Sequence, residues 1–182
     1  MLRNVGGTHP YLDRTVESRF RRADPDDAEA IHRLSAPFMV SGNLLVREPW
    51  VFQLLIEDFW VLDVDGQLVA GAGLRRFSGV AEILNMVVHE HWQGRGLGRI
   101  LLNHMVAVAQ AEGFEQVLVF SRTAVPWFTR NGFQPISPDQ VPAERVALTD
   151  PARGSIPLRR STTDHAEAAV VHSGVQSGTT GL

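Results

Sequence analysis

A glycine-rich segment at residues 93–98, Gln-Gly-Arg-Gly-Leu-Gly, separates two apolar segments of different period. Residues 82–88 before it are typical of a β-strand, and residues 97–112 after it place apolar side chains at helical spacing. Glycine lets backbone N–H groups turn toward one point without interference from a Cβ atom, and the first turn of a helix adds N–H groups that lack partners. The order of strand, glycine loop and helix therefore predicts a phosphate-binding site.

The glycine spacing excludes two common nucleotide-binding loops. Gly94, Gly96 and Gly98 give G-x-G-x-G, which is not the G-x-G-x-x-G dinucleotide fingerprint, and no Gly-Lys-Ser/Thr follows as in a P-loop. What remains is a Gln-x-x-Gly-x-Gly loop. It either binds the phosphates of another cofactor or is an ordinary strand-to-helix turn that is rich in glycine.

Composition limits the chemistry that the chain can offer. Its 182 residues include no cysteine, and all 17 basic residues are arginine because lysine is absent. Disulfide bonds, thiolate metal sites and a cysteine nucleophile are therefore excluded. The net charge of −3 gives no reason to expect a nucleic-acid partner, and no apolar run is long enough for a membrane span. No signal peptide is recognisable either, so we expect a cytoplasmic protein.

The order of predicted elements indicates one domain. A short strand near residue 18 precedes a helix that begins at Asp24-Pro25 and is expected to end at Pro37. An antiparallel meander with a hairpin at Asp65-Gly66 follows, and further helices and strands alternate after the glycine loop. We predict a flexible arm at 1–17, a folded domain at 18–160 and a disordered tail at 161–182.

This order of elements, the Gln-x-x-Gly-x-Gly loop and the later Trp127–Phe133 segment, Trp-Phe-Thr-Arg-Asn-Gly-Phe, resemble the GNAT acyltransferase superfamily. The resemblance implies an α/β (α+β) fold with a mixed central sheet and helices on both faces. Within the superfamily the chain is most similar to the acetyltransferase domain of bacterial N-acetylglutamate synthases. Four short segments carry that similarity, at residues 45–47, 81–83, 121–123 and 153–155. A short, single-domain form without the amino-acid-kinase-like domain is then expected.

The resemblance implies acetyl-CoA as co-substrate, with its pyrophosphate at the glycine loop and its pantetheine arm beside the strand before it. That strand is expected to splay from the strand near residues 116–120 and so to admit the arm. The residues expected to bind the cofactor are Met86, Val87, Val88, Gln93, Gly94, Arg95, Gly96, Leu97, Gly98 and Arg99.

Glu82 is the candidate general base for removing a proton from the attacking amine. By the period of two in a strand it should share a face with Leu84, Met86 and Val88 and look toward the cofactor channel. The alternative is a structural carboxylate paired with Arg75 or Arg76, and the sequence leaves both interpretations open.

The chain departs from the superfamily at the position of the general acid, the group that would protonate the leaving thiolate. Many GNAT enzymes carry a tyrosine on the late helix, and Phe128 occupies that position here. Ser121 is the candidate that remains, with water or no acid at all as further options. A hydroxyl at the end of a strand that caps the next helix is the alternative role for Ser121.

Arg47 and Arg153 are the candidates for binding carboxylates of the substrate, because the resemblance places both positions at the amino-acid site and guanidinium groups bind carboxylates bidentately. Both could instead be ordinary exposed arginines. The aromatic residue that the family carries shortly before the second arginine is Thr149 in this chain. The segment His89-Glu90-His91 lacks an obvious third ligand and is interpreted as a solvated turn, so no metal is expected.

The sequence thus favours an acetyl-CoA-dependent N-acetyltransferase acting on the amine of a small acceptor, with an amino acid such as glutamate leading. Two alternatives stay open. One is a GNAT enzyme for a protein N-terminus, a polyamine or a drug amine, and the other is a non-catalytic CoA-binding sensor. Neither a nucleic acid nor a membrane is an expected partner, and a homodimer is left open.

Overall fold

Seven strands form one mixed sheet in residues 18–163, the part of the chain that the computed structural model describes. The strands are β1 (Ser18–Arg22), β2 (Phe59–Val64), β3 (Gln67–Phe77), β4 (Val80–Val88), β5 (Gln116–Ser121), β6 (Gln134–Pro135) and β7 (Ile156–Ser161). Their order across the sheet is β1-β2-β3-β4-β5-β7-β6. Only β4 and β5 pair in parallel, so the meander predicted from β2 to β4 is confirmed.

Helices cover both faces of the sheet, as the family resemblance implies. They are α1 (Ala28–Val40), α2 (Pro49–Leu54), α3 (Leu97–Ala111), α4 (Val125–Arg130) and α5 (Ala143–Val146). One hydrophobic core lies between the sheet and the apolar stripe of α3, and a second lies between the sheet and helices α1 and α2. Each face of the sheet is thereby buried.

Helix α1 does not end at Pro37 but continues to Val40. Proline lacks the N–H that would bond to the preceding turn, and this loss was the basis for expecting an end there. Met39 is buried in the second core, and the N–H of Ser41 still donates to the carbonyl of Pro37. Burial of the last turn therefore offsets the missing hydrogen bond.

The parallel pairing of β4 and β5 is short. Only Ala81 with Val117 and Glu82 with Leu118 are in register, and the two strands separate beyond these pairs. Residues 83–88 of β4 consequently have no strand partner on the β5 side. The predicted splaying of the two strands is confirmed, and the gap begins at Glu82.

A bulge in β4 changes which side chains share a face. Gly71 pairs with Val87 and Gly73 pairs with Leu84, so two residues of β4 lie opposite one residue of β3. Asn85, one of the two, has a φ of +49°. The alternation of side chains shifts at this point.

The prediction that Glu82, Leu84, Met86 and Val88 share a face is therefore wrong beyond Leu84. Met86 and Val88 pack against the core on the α3 side, and Leu84 packs against the core on the α1 side. A period of two holds only while the pairing is regular, and nothing in the residue pattern indicated the extra residue.

The last strand extends past the predicted domain boundary at residue 160. Strand β7 ends at Ser161, and Thr162 is buried, with its hydroxyl donating to the carbonyl of Phe114 and its N–H donating to the carbonyl of Glu115. The predicted arm at 1–17 and the remainder of the predicted tail lie outside the described residues. Within residues 18–163, no helix has the length and apolar character needed to cross a membrane.

His104 of α3 lies half-buried between aromatic rings. Its imidazole stacks on Phe20 at 4.5 Å between ring centroids and meets the edge of Trp60 at 4.9 Å. Its Nε2 atom has no hydrogen-bond partner among the described residues, and burial lowers the pKa of the imidazole. The folded protein therefore favours the neutral ring.

Replacing His104 by phenylalanine should reduce the loss of stability at acid pH. Because the pKa is lower in the folded state, the unfolded chain binds a proton first as the pH falls below its ordinary value of about 6.5. Stability is fully present above that pH and declines below it. In urea unfolding at pH 7.5 and pH 5, we expect the difference in stability between the two pH values to be smaller in His104→Phe than in the wild type. The exposed control His91→Phe should show the same difference in stability between the two pH values as the wild type. If this difference is equal in the two variants, the prediction is contradicted.

Candidate active site

Glu82 and Arg145 form a buried ion pair at the point where β4 and β5 separate. Nε of Arg145 donates to Oε2 of Glu82 at 2.6 Å, and Nη2 donates to Oε1 at 2.9 Å. The two residues are 4% and 9% exposed. Nη1 of Arg145 donates to the hydroxyl of Thr149 at 2.8 Å, and the guanidinium lies 3.9 Å from the ring centroid of Phe120. The Arg145 guanidinium is thus engaged at all three nitrogens.

Arg145 is the residue that sequence reasoning missed. The expected partners of Glu82 were Arg75 and Arg76, but Arg76 instead pairs with Glu112 and Asp58 at the surface. Arg75 lies opposite Glu82 in the β3–β4 register without an ion pair to it. Arg145 follows Glu82 by 63 residues, in a proline-flanked segment that looks like a loop, so the sequence carried no signal for it.

A cluster of arginines lies around Arg47, and Glu82 is its carboxylate member. Burial lowers the pKa of Arg47, and the nearby charge of Arg75 lowers it further; Arg153 and Arg145 act in the same direction, while Glu82 opposes them. Arg47 therefore lies within electrostatic reach of three other guanidinium groups and of one carboxylate. We call these five residues the arginine cluster. Its excess positive charge suits an anionic ligand.

The loop between α1 and α2, which carries Arg47, is held by other arginines. Nη2 of Arg153 donates to the carbonyls of Asn43 at 3.2 Å and Gly42 at 3.5 Å, and Nη1 of Arg122 donates to the carbonyl of Gly42 at 3.4 Å. Burial also lowers the pKa of Arg153, and the charge of Arg122 adds to this. Arg47, Arg153 and Glu82, chosen from sequence, thus lie close together.

Ser121 lies at the end of β5 and contacts the start of α4. Its hydroxyl oxygen accepts a hydrogen bond from the N–H of Ala124 at 3.0 Å, which is the geometry of the alternative, capping interpretation. Phe128 is buried and packs edge-on against Trp127 and Phe133. The ring that stands at the usual tyrosine position therefore belongs to the core.

The glycine loop leaves open space in front of helix α3. Gly94 and Gly96 have φ values of +74° and +82°, and a Cβ atom at either would meet nothing within 4 Å. Gly96 is the residue before the first turn of α3, whose leading N–H groups lack helical partners. The side-chain amide of Gln93 donates to the carbonyl of Val88 at 3.0 Å and fixes the entry to the loop.

Two further contacts shape this loop. A Cβ atom at Gly98 would lie 3.4 Å from the ring of Trp127, in van der Waals contact, so α4 packs directly against the start of α3. The guanidinium of Arg95 lies over the ring of Trp92 at 5.2 Å from its centroid. The loop therefore combines backbone donors, a helix N-terminus and exposed cationic side chains, a combination that suits phosphate groups.

The His89-Glu90-His91 segment forms a turn. Nδ1 of His89 accepts from the backbone N–H of His91 at 3.3 Å, and the two rings lie 5.2 Å apart. In residues 18–163, no three His, Asp or Glu side chains are grouped closely enough to hold a metal ion.

Comparison with known proteins assigns the family. Residues 56–135 match the family model described as the acetyltransferase (GNAT) domain. The chain contains a GNAT acetyltransferase domain. The fold expected from the resemblance, a mixed sheet with helices on both faces, is confirmed.

The GNAT domain is similar to amino-acid acetyltransferases and their structures. It is 32% identical over 156 residues to an amino-acid acetyltransferase of Ralstonia nicotianae, over 85% of this chain and 35% of that protein. The N-acetylglutamate synthase of Neisseria gonorrhoeae, solved with coenzyme A and N-acetyl-glutamate, superposes with a TM-score of 0.77 at 30% identity, over 80% of this chain and 35% of that one.

A third similar protein is covered by this chain over almost its whole length. Rv2747 from Mycobacterium tuberculosis, solved in complex with CoA, gives a TM-score of 0.68 at 22% identity, over 79% of this chain and 98% of that one. At this identity the similarity concerns the fold. The chain spans about a third of the length of the curated relatives that it matches.

Proposed function

We propose that this GNAT domain transfers the acetyl group of acetyl-CoA to the α-amine of an amino acid, with glutamate as the leading acceptor. The observation that carries the proposal is the arginine cluster at the mouth of the gap between β4 and β5. A dicarboxylic amino acid matches its excess positive charge better than a polyamine does. The printed names of the relatives, amino-acid acetyltransferase and N-acetylglutamate synthase, support the same acceptor class.

The glycine loop is the proposed site for the pyrophosphate of acetyl-CoA. Exposed N–H groups at the start of α3 and the open space at Gly94 and Gly96 favour an anion there. The unpaired edge of β4 beyond Glu82 can hydrogen-bond the pantetheine arm. The cofactor contacts that we propose are those predicted from the sequence: Met86, Val87, Val88, Gln93, Gly94, Arg95, Gly96, Leu97, Gly98 and Arg99.

In the proposed reaction the acceptor amine attacks the thioester carbonyl, so that a C–N bond forms and the C–S bond breaks. Glu82 takes the proton that the ammonium group must lose, directly or through a water molecule. Arg145 occupies one hydrogen-bonding position on each Glu82 oxygen, and a carboxylate oxygen accepts two, so a position remains on each. Ser121 is the proposed proton donor to the leaving thiolate, with solvent as the alternative.

Arg47 and Arg153 are the proposed partners of the acceptor carboxylates. Arg47 makes one side-chain hydrogen bond, to Asn85, within residues 18–163, so most of its five N–H donors remain available to a ligand. Arg145, by contrast, is committed to Glu82 and Thr149.

An assay of free-thiol release with acetyl-CoA tests the function. The panel holds the twenty amino acids, spermidine, an aminoglycoside and a peptide with a free N-terminus. Turnover with glutamate or glutamine well above the rest is the expected result. Turnover confined to another amine would overturn the acceptor proposal, and CoA binding without turnover on any amine would favour the sensor alternative.

Gly96→Ala should weaken CoA binding at least about tenfold in calorimetry, because the added methyl group projects into the space proposed for the pyrophosphate. The substitution also strains the backbone, so a matched control is needed. Gly113 at the opposite end of α3 has a similar φ of +89° and equally open surroundings. Gly113→Ala should therefore lose similar stability and keep its CoA affinity. If both variants bind CoA alike, the phosphate-site proposal fails.

We further propose the cytoplasm as the compartment, since the cysteine-free sequence and the proposed use of acetyl-CoA suit it. Cell fractionation would check this. A homodimer is the further proposal for the oligomeric state, and sedimentation at several protein concentrations tests it against a monomer.

A further inference from the structure

A chain of buried polar groups links helix α1, the bulge of β4 and Arg47. The hydroxyl of Ser35 donates to the carbonyl of Ile31 at 2.7 Å and accepts from Nδ2 of Asn85 at 2.9 Å. Oδ1 of Asn85 accepts from Nη1 of Arg47 at 3.4 Å. Ser35 and Asn85 are 0% and 6% exposed, so both are fixed inside the protein. The Asn85 amide thus donates a hydrogen bond to Ser35 through its nitrogen and accepts one from Arg47 through its oxygen.

The backbone of the bulge explains why asparagine can stand here. A φ of +49° is costly for most side chains, and asparagine is among the few residues that adopt it readily. The bulge carries the Asn85 side chain to the α1 face of the sheet, where it meets Ser35. In a regular strand, the side chains of Leu84 and Asn85 would lie on opposite faces of the sheet, whereas here both lie on the α1 side.

The chemistry of the contact distinguishes Arg47 from Arg145. Arg145 is paired with a carboxylate, which offsets its charge. Asn85 is neutral, and its oxygen is the one side-chain hydrogen-bond acceptor for the Arg47 guanidinium within residues 18–163. An amide can therefore orient Arg47 without neutralising it. The full charge stays available for a carboxylate of the ligand.

We propose that Asn85, hydrogen-bonded to Ser35, is a positioning residue that orients the Arg47 guanidinium toward an acceptor carboxylate. Its neutrality favours a dicarboxylic over a monocarboxylic amino acid. This inference rests on the proposed function and names the residue that sets acceptor preference within it.

The decisive variant is Asn85→Asp, which keeps the shape and tolerates the positive φ but adds a negative charge beside Arg47. An added anion repels an acceptor with two carboxylates more than one with a single carboxylate. We expect the ratio of kcat/KM for glutamate to that for glutamine to fall at least about tenfold. The KM for acetyl-CoA should not change. An unchanged ratio with an altered overall rate would overturn the preference claim.

Asn85→Gly tests orientation alone, because glycine accepts the backbone conformation and removes the amide. We expect the KM for the acceptor to rise about tenfold, with a smaller rise for Ser35→Ala. Asp65→Gly is the matched control, since Asp65 has the same φ of +49° in the β2–β3 hairpin. It should leave both KM values unchanged. An acceptor KM that Asn85→Gly does not alter would contradict the positioning role.

A second measurement does not depend on turnover. Nitrogen-15 NMR of the Arg47 guanidinium, identified by its loss in Arg47→Ala, reports how fast the group rotates. Rotation should be slower in the wild type than in Asn85→Gly, and equal rates would reject the positioning role. If the wild type acetylates no amino acid but the rates differ, the proposed function fails and the positioning contact stands.

Discussion

Replacing Glu82 by glutamine is expected to lower kcat by about 10²–10³-fold, because a general base typically contributes that much and an amide cannot accept the proton. Affinity for CoA should stay within about twofold of the wild type, since the glycine loop lies at the other end of β4. Stopped-flow or steady-state thiol release measures the first quantity and calorimetry the second.

Glu112 provides a matched control for this experiment. It also pairs bidentately with an arginine, through Arg76 Nε at 2.7 Å and Nη2 at 2.8 Å, but it stands just after α3 at the surface, away from the arginine cluster. Glu112→Gln should leave kcat unchanged. If Glu82→Gln retains full activity, Glu82 is not the base and its role is to pair with Arg145.

Replacing Arg145 by methionine should destabilise the fold by about 3–5 kcal/mol, because it leaves the buried carboxylate of Glu82 without its partner. The side chains of this pair are 11% and 5% exposed, whereas those of Arg76 and Glu112 are 35% and 24% exposed. Arg76→Met should therefore cost about 1 kcal/mol or less. Urea unfolding at pH 7 compares the two variants.

The double variant Glu82→Gln, Arg145→Met separates charge from packing. Removing both charges relieves the unpaired carboxylate, so we expect at least about half of the lost stability to return. Activity should not return with it, because the base is absent. A double variant as unstable as Arg145→Met alone would mean that the contacts of Arg145 with Phe120 and Thr149, and not the ion pair, stabilise this corner.

The structure of the glycine loop, the proposed cofactor site, could be predicted because its signal is local. The loop from Gln93 to Gly98, the strand before it and the helix after it are contiguous, so residue order alone fixes their juxtaposition. The loop and its flanking elements depend on short-range geometry that glycine spacing and apolar period report directly. The gap between β4 and β5, by contrast, was expected only from the family resemblance.

The acceptor half could be predicted only in part. Arg47 and Arg153 were identified by resemblance, but Arg145 joins Glu82 across 63 residues, and such a pairing leaves no mark on either local pattern. The bulge at Asn85 could not be predicted from the sequence for a different reason. One extra residue in a strand changes the face of every later side chain while the apolar composition stays the same.

The short junction between β4 and β5 has a consequence for how the acceptor specificity of this domain can diverge. Only two residue pairs join the halves of the sheet, and α3 packs across the join. Arg47 comes from the first half, and Arg145 and Arg153 come from the second. Substitutions in either half can therefore alter the spacing of these charges without changing the contiguous glycine loop. A domain divided in this way allows the proposed acceptor site to change while the proposed cofactor site is retained.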